Sequence, residues 1–233
     1  MATASYTQRR GQIATYFDRT ASDAWARLTS DAPLGRIRAT VREGRDRMRA
    51  TLLSWLPDDL TGRRILDAGA GTGAFSVAAA RRGAHVVAID LSPTLADLGR
   101  QRMPADLGAG SIEFHVGDML DPALGRFDHV VAMDSLIHYN ARDAVRAVAG
   151  LAARTERSVL FTFAPRTPAL AMMHAVGRLF PRGDRAPSIE PVAEAALLRH
   201  LEREPALGAW QPARTQRITS GFYKSQAMEL LLP

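Results

Sequence analysis

Arg64-Ile65-Leu66-Asp67-Ala68-Gly69-Ala70-Gly71-Thr72-Gly73-Ala74 is the stretch that decides the fold. A short apolar strand, Ile65–Ala68, runs into glycines at 69, 71 and 73, and a helical pattern follows from about Gly73 to Arg82. Glycine permits a tight turn and lets a ligand approach the backbone. The free N–H groups of a helix that starts at such a turn point at that ligand. The loop is ambiguous by itself, because Gly69-Ala70-Gly71-Thr72-Gly73-Ala74 also satisfies the dinucleotide-binding pattern with Ala as the last small residue.

Outward from the loop, strand and helix alternate. Strands are predicted at His85–Asp90, Ile112–Val116, Phe127–Met133 and Val159–Ala164. Pro93 opens a helix that ends near Pro104, and Asn140 is placed to cap a helix over Ala141–Ala153. Such alternation argues for a parallel sheet covered by helices on both faces. After Pro165 the rhythm breaks, and residues 165–190 read as a lid-like insertion. A helix over Pro191–Arg203 is followed by strands around Gln211–Ile218 and Phe222–Leu231, with Ser220-Gly221 between them as an antiparallel hairpin turn. Residues 1–60 form a helical arm: Ile37, Val41, Met48, Leu52 and Trp55 give one apolar face, and Arg38, Arg42, Arg45 and Arg49 lie on another. Residues 61–233 form the main domain.

Acidic residues tip the loop towards S-adenosylmethionine. Asp67, two residues before Gly69, can hold the ammonium of a methionine moiety and would repel a pyrophosphate. Asp90, at the end of the second strand, is placed to accept from ribose hydroxyls, with Leu91 beside it. Asp118 can accept from an adenine amino group while Met119 packs near the ring; a plain turn role is the alternative for Asp118. Ala68 and Met133 complete the expected cofactor set with Gly69, Gly71 and Gly73. The closing hairpin stands where a dinucleotide domain would need a second mononucleotide unit. The expected fold is therefore α/β and Rossmann-like: a seven-stranded, mostly parallel sheet with an antiparallel last strand, N-terminal helices and a lid after strand five.

The 233 residues carry no cysteine, which excludes disulfides, a thiol nucleophile and any cysteine-built metal site. His85, His115, His129 and His200 show no ligand-like grouping, so no protein metal site is expected. The net charge of +6 rests on arginine, with Lys224 the only lysine. No RNA-binding module accompanies that charge, and no nucleic-acid partner is expected. The first thirty residues lack a signal-peptide pattern, and no stretch is long and apolar enough to span a bilayer.

Met133-Asp134-Ser135-Leu136-Ile137-His138-Tyr139 follows the fourth strand. Taken with Tyr16-Phe17 and Trp25, Phe163-Ala164-Pro165-Arg166-Thr167, Leu179-Phe180-Pro181 and Phe222-Tyr223-Lys224-Ser225, it resembles the magnesium-protoporphyrin IX O-methyltransferases of chlorophyll and bacteriochlorophyll synthesis. The resemblance runs from about Tyr16 to the C-terminus. It departs at residues 182–190, where Pro187-Ser188-Ile189 replaces an expected Tyr-His pair.

The resemblance implies transfer of the methyl of S-adenosylmethionine to a propionate of Mg-protoporphyrin IX. It makes His138 and Tyr16 the catalytic candidates, as hydrogen-bond donors to the propionate. His138 can instead cap the following helix or act as a base for a hydroxyl acceptor, and Tyr16-Phe17 can be plain helix packing. Tyr139, Arg166, Met172, Met173, His174 and Phe180 are the substrate-binding candidates. The resemblance also implies contact with the magnesium chelatase large subunit. The expected location is cytoplasmic, peripheral at the photosynthetic intracytoplasmic membrane, where the arginine stripe can meet anionic lipid or a partner.

Overall fold

The structure, a computed structural model, describes residues 3–19, 35–166 and 188–233. Two helices, α1 (Ala4–Arg19) and α2 (Arg36–Ser54), precede β1 (Arg64–Ala68), α3 (Ala74–Ala80), β2 (His85–Asp90), α4 (Pro93–Arg102), β3 (Ser111–Val116) and β4 (Phe127–Ala132). Then come α5 (Ala141–Ala152), β5 (Thr155–Phe163), α6 (Glu194–Glu202), β6 (Gln211–Ser220) and β7 (Tyr223–Leu231). The strands form one seven-stranded sheet in the order β3-β2-β1-β4-β5-β7-β6. β1 to β5 pair in parallel, and β7 runs antiparallel to both β5 and β6. This is the expected α/β sheet with its antiparallel last strand. The chain winds from β1 out to β3, then returns to the other side of β1 as β4. At such a reversal the connecting loops diverge, and a ligand crevice opens beyond the carboxyl ends of the strands.

Side chains alternate across the sheet with the period of two that a strand imposes. Leu66, Val87, Val130 and Val159 join the core under α1, α5 and α6, while Ile65, Val86, Val131 and Leu160 join the core under α2 and α3. Burial on both faces is why these strands read as nearly continuous apolar runs.

Helix starts follow local chemistry where a cap is present. The Asn140 side chain accepts from the Asp143 N–H at 2.9 Å, and Ser92 caps α4 ahead of Pro93. The helix expected over Pro191–Arg203 begins later, at Glu194, because Val192 is held in extended form: its N–H donates to Ala164 O and its carbonyl accepts from the Arg166 N–H. The hairpin turn is Gly221-Phe222 rather than Ser220-Gly221, since Ser220 still pairs with Tyr223 and Gly221 supplies the positive φ of 52°. On α2, Met48 and Leu52 are buried as the spacing predicts, but Ile37 is 58% exposed. Its arginine stripe is not a uniform solvated face. Arg45 turns inward to Asp134 at 2.8 Å, and Arg49 pairs with Asp46 at 2.9 Å.

One buried base contributes a share of stability that acid removes. His129 on β4 is buried, with Nδ1 2.7 Å from Ser158 Oγ. Burial pushes its pKa down from 6.5 to about 4. In this window the unfolded chain binds a proton that the folded chain refuses, so stability is lost as pH falls from about 6.5 to about 4. A shift of that size is worth roughly 3 kcal/mol at its limit. His129→Gln should flatten the melting temperature across this window relative to the parent protein, as read by thermal denaturation at stepped pH.

Candidate active site

The glycine loop sits at the crevice and is shaped by β2. The N–H groups of Gly69 and Ala70 both donate to Ile89 O, at 2.8 and 3.0 Å, and the Gly71 N–H donates to Asp90 Oδ2 at 2.7 Å. Two of the glycines are required by contact as well as by conformation. A Cβ on Gly69 (φ 81°) would stand 2.4 Å from Ser135 Cβ, and one on Gly73 (φ 77°) would stand 2.8 Å from Phe114 Cζ. The loop is therefore clamped between the corner after β4 and a side chain of β3.

Two hollows meet at this loop. The first is a cavity bordered by Gly69, Gly71, Asp90, Leu91, Asp118, Met119 and Met133 from the expected cofactor set. Asp134, Ser135, His138 and Tyr139 close its β4 side, and Tyr6, Ile13 and Phe17 of α1 lie across it. The second is a cleft on the other side of the loop, where Asp67 meets Thr72 and the arginines 42, 49 and 81. Arg45, Gly69 and Met133 border both.

Each expected cofactor residue has a definite environment. Asp67 is buried, and its Oδ2 accepts from Ser76 Oγ at 2.6 Å. Burial pushes its pKa up to about 7, against the pull of the Ser76 bond. It borders the cleft and not the first cavity, while Ala68 is buried in the sheet core and Gly73 lies under Phe114. Asp90 accepts from the Gly71 and Ser92 N–H groups at 2.7 and 2.9 Å; burial raises its pKa and these bonds oppose the rise. Asp118 accepts from the Leu120 N–H at 3.0 Å, as a turn residue does. Its carboxylate also holds α1, through Tyr6 OH at 2.9 Å and an ion pair with Arg10.

The structure brings His138 to the cavity but not Tyr16. His138 is 8% exposed, and its Nδ1 stands 3.4 Å from the Ser188 carbonyl oxygen, which can only accept. Phe17 packs 6.0 Å from the imidazole, centroid to centroid. Tyr16 is half-buried beside the cavity rim, its ring edge-on to Phe17 at 5.2 Å. Residues 6, 13 and 17 share one helical stripe, and position 16 is turned about 100° from position 17. The tyrosine that α1 delivers to the cavity is Tyr6, stacked on Tyr139 at 4.8 Å. Burial raises the pKa of both tyrosines, so both remain protonated donors.

The other expected substrate contacts divide. Tyr139 borders the cavity as the shelf for Tyr6. Arg166 has an exposed side chain away from the cavity lining, its backbone N–H bonded to Val192 O. Met172, Met173, His174, Phe180 and Trp25 lie outside the described residues. Sequence reading missed Tyr6, Ile13, Arg45 and Asp134. The 4-3-4 spacing of Tyr6, Arg10, Ile13 and Phe17 was the available signal for α1; Asp134 carried none beyond its place after β4.

The lining matches the parts of S-adenosylmethionine. A glycine cradle that a Cβ would fill leaves room for a ligand against the backbone. The Asp90 carboxylate suits a ribose diol, Leu91 and Met119 suit the faces of a purine, and Arg45 suits a carboxylate at the junction of the two hollows.

Comparison with known proteins agrees with this geometry. Residues 132–231 match the family model described as the magnesium-protoporphyrin IX methyltransferase C-terminus, and residues 65–157 match a methyltransferase domain. The chain is 50% identical to the magnesium-protoporphyrin O-methyltransferase of Rhodobacter capsulatus, covering 96% of this chain and 97% of that protein. It is 30% identical to the chloroplastic magnesium protoporphyrin IX methyltransferase of Arabidopsis thaliana, over 93% of this chain and 69% of the relative. Among solved structures, magnesium protoporphyrin IX methyltransferase from Synechocystis with bound SAH superposes with a TM-score of 0.83 at 27% identity, covering 96% of this chain and all of that one. With half its residues shared along nearly its whole length, the chain belongs to the magnesium-protoporphyrin IX methyltransferase family.

Proposed function

We infer that this chain transfers the methyl of S-adenosylmethionine to a propionate carboxylate of Mg-protoporphyrin IX, forming the monomethyl ester and S-adenosylhomocysteine. The observation that carries the reading is the 50% identity to the Rhodobacter capsulatus enzyme across 96% of the chain. Protoporphyrin holds oxygen only in its propionates, so an O-methyl product is an ester. S-Adenosylmethionine supplies an electrophilic methyl on a sulfonium that leaves as a neutral thioether.

A propionate is ionised at neutral pH, since its ordinary pKa is about 4 to 5. The protein therefore need not supply a strong base. It has to replace water around the carboxylate and align one oxygen with the methyl, at roughly 3 to 3.5 Å. His138 is the side chain for that task. A protonated ring nitrogen of His138 would donate to one carboxylate oxygen, and the Ser188 carbonyl oxygen, which can only accept, stands 3.4 Å from Nδ1. Phe17 and Ile13 form an apolar wall that excludes water beside it. Arg45 would hold the cofactor's own carboxylate and Asp90 the ribose, and Tyr6 with Arg10 closes α1 over Asp118, where the purine would lie.

The pigment is poorly soluble, which favours delivery by a carrier at a surface. We include contact with the magnesium chelatase large subunit and a cytoplasmic, membrane-peripheral location in the proposal. Exposed Ile37 and Phe222 support the second part. Both flank the place where Gly221 meets Thr40, and Arg36, Arg38 and Lys224 neighbour them in sequence. No helix among the described residues is long and apolar enough to cross a membrane.

The test is methyl transfer from labelled S-adenosylmethionine by the purified chain, with Mg-protoporphyrin IX or a phenolic acceptor. Label should appear in a base-labile porphyrin ester. Label in the phenol alone would overturn the proposal.

A further inference from the structure

We propose that Asp134 is a positioning residue for the methyl-transfer corner, and that Tyr223 and Ser225 on β7 act through it by fixing Arg45 and the turn that carries His138. The proposal rests on the methyltransferase reading of the cavity. The Asp134 side chain is 6% exposed. Its carboxylate accepts from Arg45 at 2.8 Å, from Tyr223 OH at 3.0 and 3.1 Å, from Ser225 Oγ at 3.0 Å and from Thr162 Oγ1 at 3.2 Å. Its backbone N–H donates to Thr162 Oγ1 at 2.7 Å. One carboxylate thus ties together α2, β5 and β7. A charge so withdrawn from water persists only when paired and hydrogen-bonded, and here the partners come from three separate stretches of chain.

The backbone at this point is strained in the way such a hub can sustain. Asp134 has φ of 55°, the one positive φ outside glycine among the described residues. Conformations of that kind persist where the surroundings over-determine them, and they gather at functional sites. Its neighbours show what is being held. Met133 and Ser135 both border the cavity, and Ser135 is the residue pressed against Gly69 of the cofactor loop. The turn that follows, closed by the Tyr139 N–H to Leu136 O bond, carries His138.

Tyr223 acts on the same corner from a second direction. Its ring lies against Gly44, where an added Cβ would stand 2.4 Å from Tyr223 Cδ1. That contact presses α2 onto β7 beside Arg45, while the hydroxyl holds the carboxylate that Arg45 meets. Tyr223 and Ser225 are absent from the cavity lining, yet both are buried polar residues whose hydroxyls turn to Asp134. β7 carries several buried polar side chains, and those of Tyr223 and Ser225 are the ones that converge on this carboxylate, while Gln226 and Glu229 pair with arginines of β6.

The experiment is a double-mutant cycle of Tyr223→Phe with Arg45→Ala, read by calorimetric binding of S-adenosylhomocysteine and by melting temperature. Tyr223→Phe keeps the ring on Gly44 and removes only the hydroxyl, so the fold is retained. Alone, it should weaken S-adenosylhomocysteine about ten-fold, the usual scale for a hydrogen bond to a charged group. In the Arg45→Ala background it should change binding by less than about two-fold, because with no acceptor present only the arm of the network that runs through Arg45 is read, and the turn that carries His138 serves the acceptor. Ser225→Ala should behave the same way. Unchanged affinity in Tyr223→Phe would overturn the proposal. So would full additivity with Arg45→Ala, which is the mark of an independent structural defect. Binding is measured with no acceptor present, so the cycle reads Asp134 whatever porphyrin or other acceptor the enzyme methylates.

Discussion

His138→Ala is expected to lower turnover about 100-fold while S-adenosylhomocysteine binds within a few-fold of the parent protein. Removing a group that orients and desolvates a nucleophile typically costs that much, because a displacement of about 1 Å from the productive geometry already does. His138 is suited to the role by its place: beside Phe17, tethered to the Ser188 carbonyl, and one turn from the corner that abuts Gly69. The comparison within α1 sharpens the test. Tyr16→Phe should leave turnover near the parent value, since that ring is off the cavity lining, whereas Tyr6→Phe removes a bond to Asp118 at 2.9 Å and should weaken the cofactor several-fold. Steady-state kinetics with calorimetry separates the three variants. Strong loss in Tyr16→Phe with none in His138→Ala would reverse the assignment of donors.

Gly69→Ala has the other large effect. The residue has φ of 81°, and its added Cβ would lie 2.4 Å from Ser135 Cβ, an atom fixed close to the backbone and unable to swing away. Either the loop or the corner after β4 must move, and both border the cofactor cavity. A stability loss on the order of 2–4 kcal/mol is expected from the combined conformational and steric cost. Cofactor binding should fall beyond detection by calorimetry. Gly62→Ala is the control: φ there is 72°, but nothing lies within 4 Å of the added carbon. It should cost only about 1 kcal/mol and leave binding intact. Equal effects of the two substitutions would show that backbone conformation alone, and not contact with Ser135, sets the requirement at Gly69.

What was legible in the sequence was what local chemistry controls. The two-sided apolar strands and the loop Gly69–Gly73 fixed the parallel core, and the turn glycine with its flanking strands marked the hairpin. Asn140 announced its helix because a cap is a bond between near neighbours, and Pro93 announced the start of α4 because its ring suits the first helical turn. The errors occur where distant segments intervene. α6 starts late because Ala164 and Arg166 hold Val192 in extended form. The apolar period of α2 misassigns Ile37, since the helix runs past the edge of what it packs on. Tyr6 went unread although it shares the α1 stripe of Ile13 and Phe17 that borders the cavity, because the partner it stacks on, Tyr139, is distant in sequence. Arg45 and Asp134 were unreadable for a deeper reason. An arginine in a stripe of arginines, and an aspartate in a turn, acquire meaning only when α2, β5 and β7 converge on them.

The most direct measurement is a crystal structure with S-adenosylhomocysteine bound. The sulfur should lie between Gly69 and the His138 ring, with the ribose hydroxyls on Asp90 and the amino-acid carboxylate on Arg45. A ligand seated elsewhere, or one whose sulfur faces away from His138 with the corner after β4 unengaged, would contradict the account.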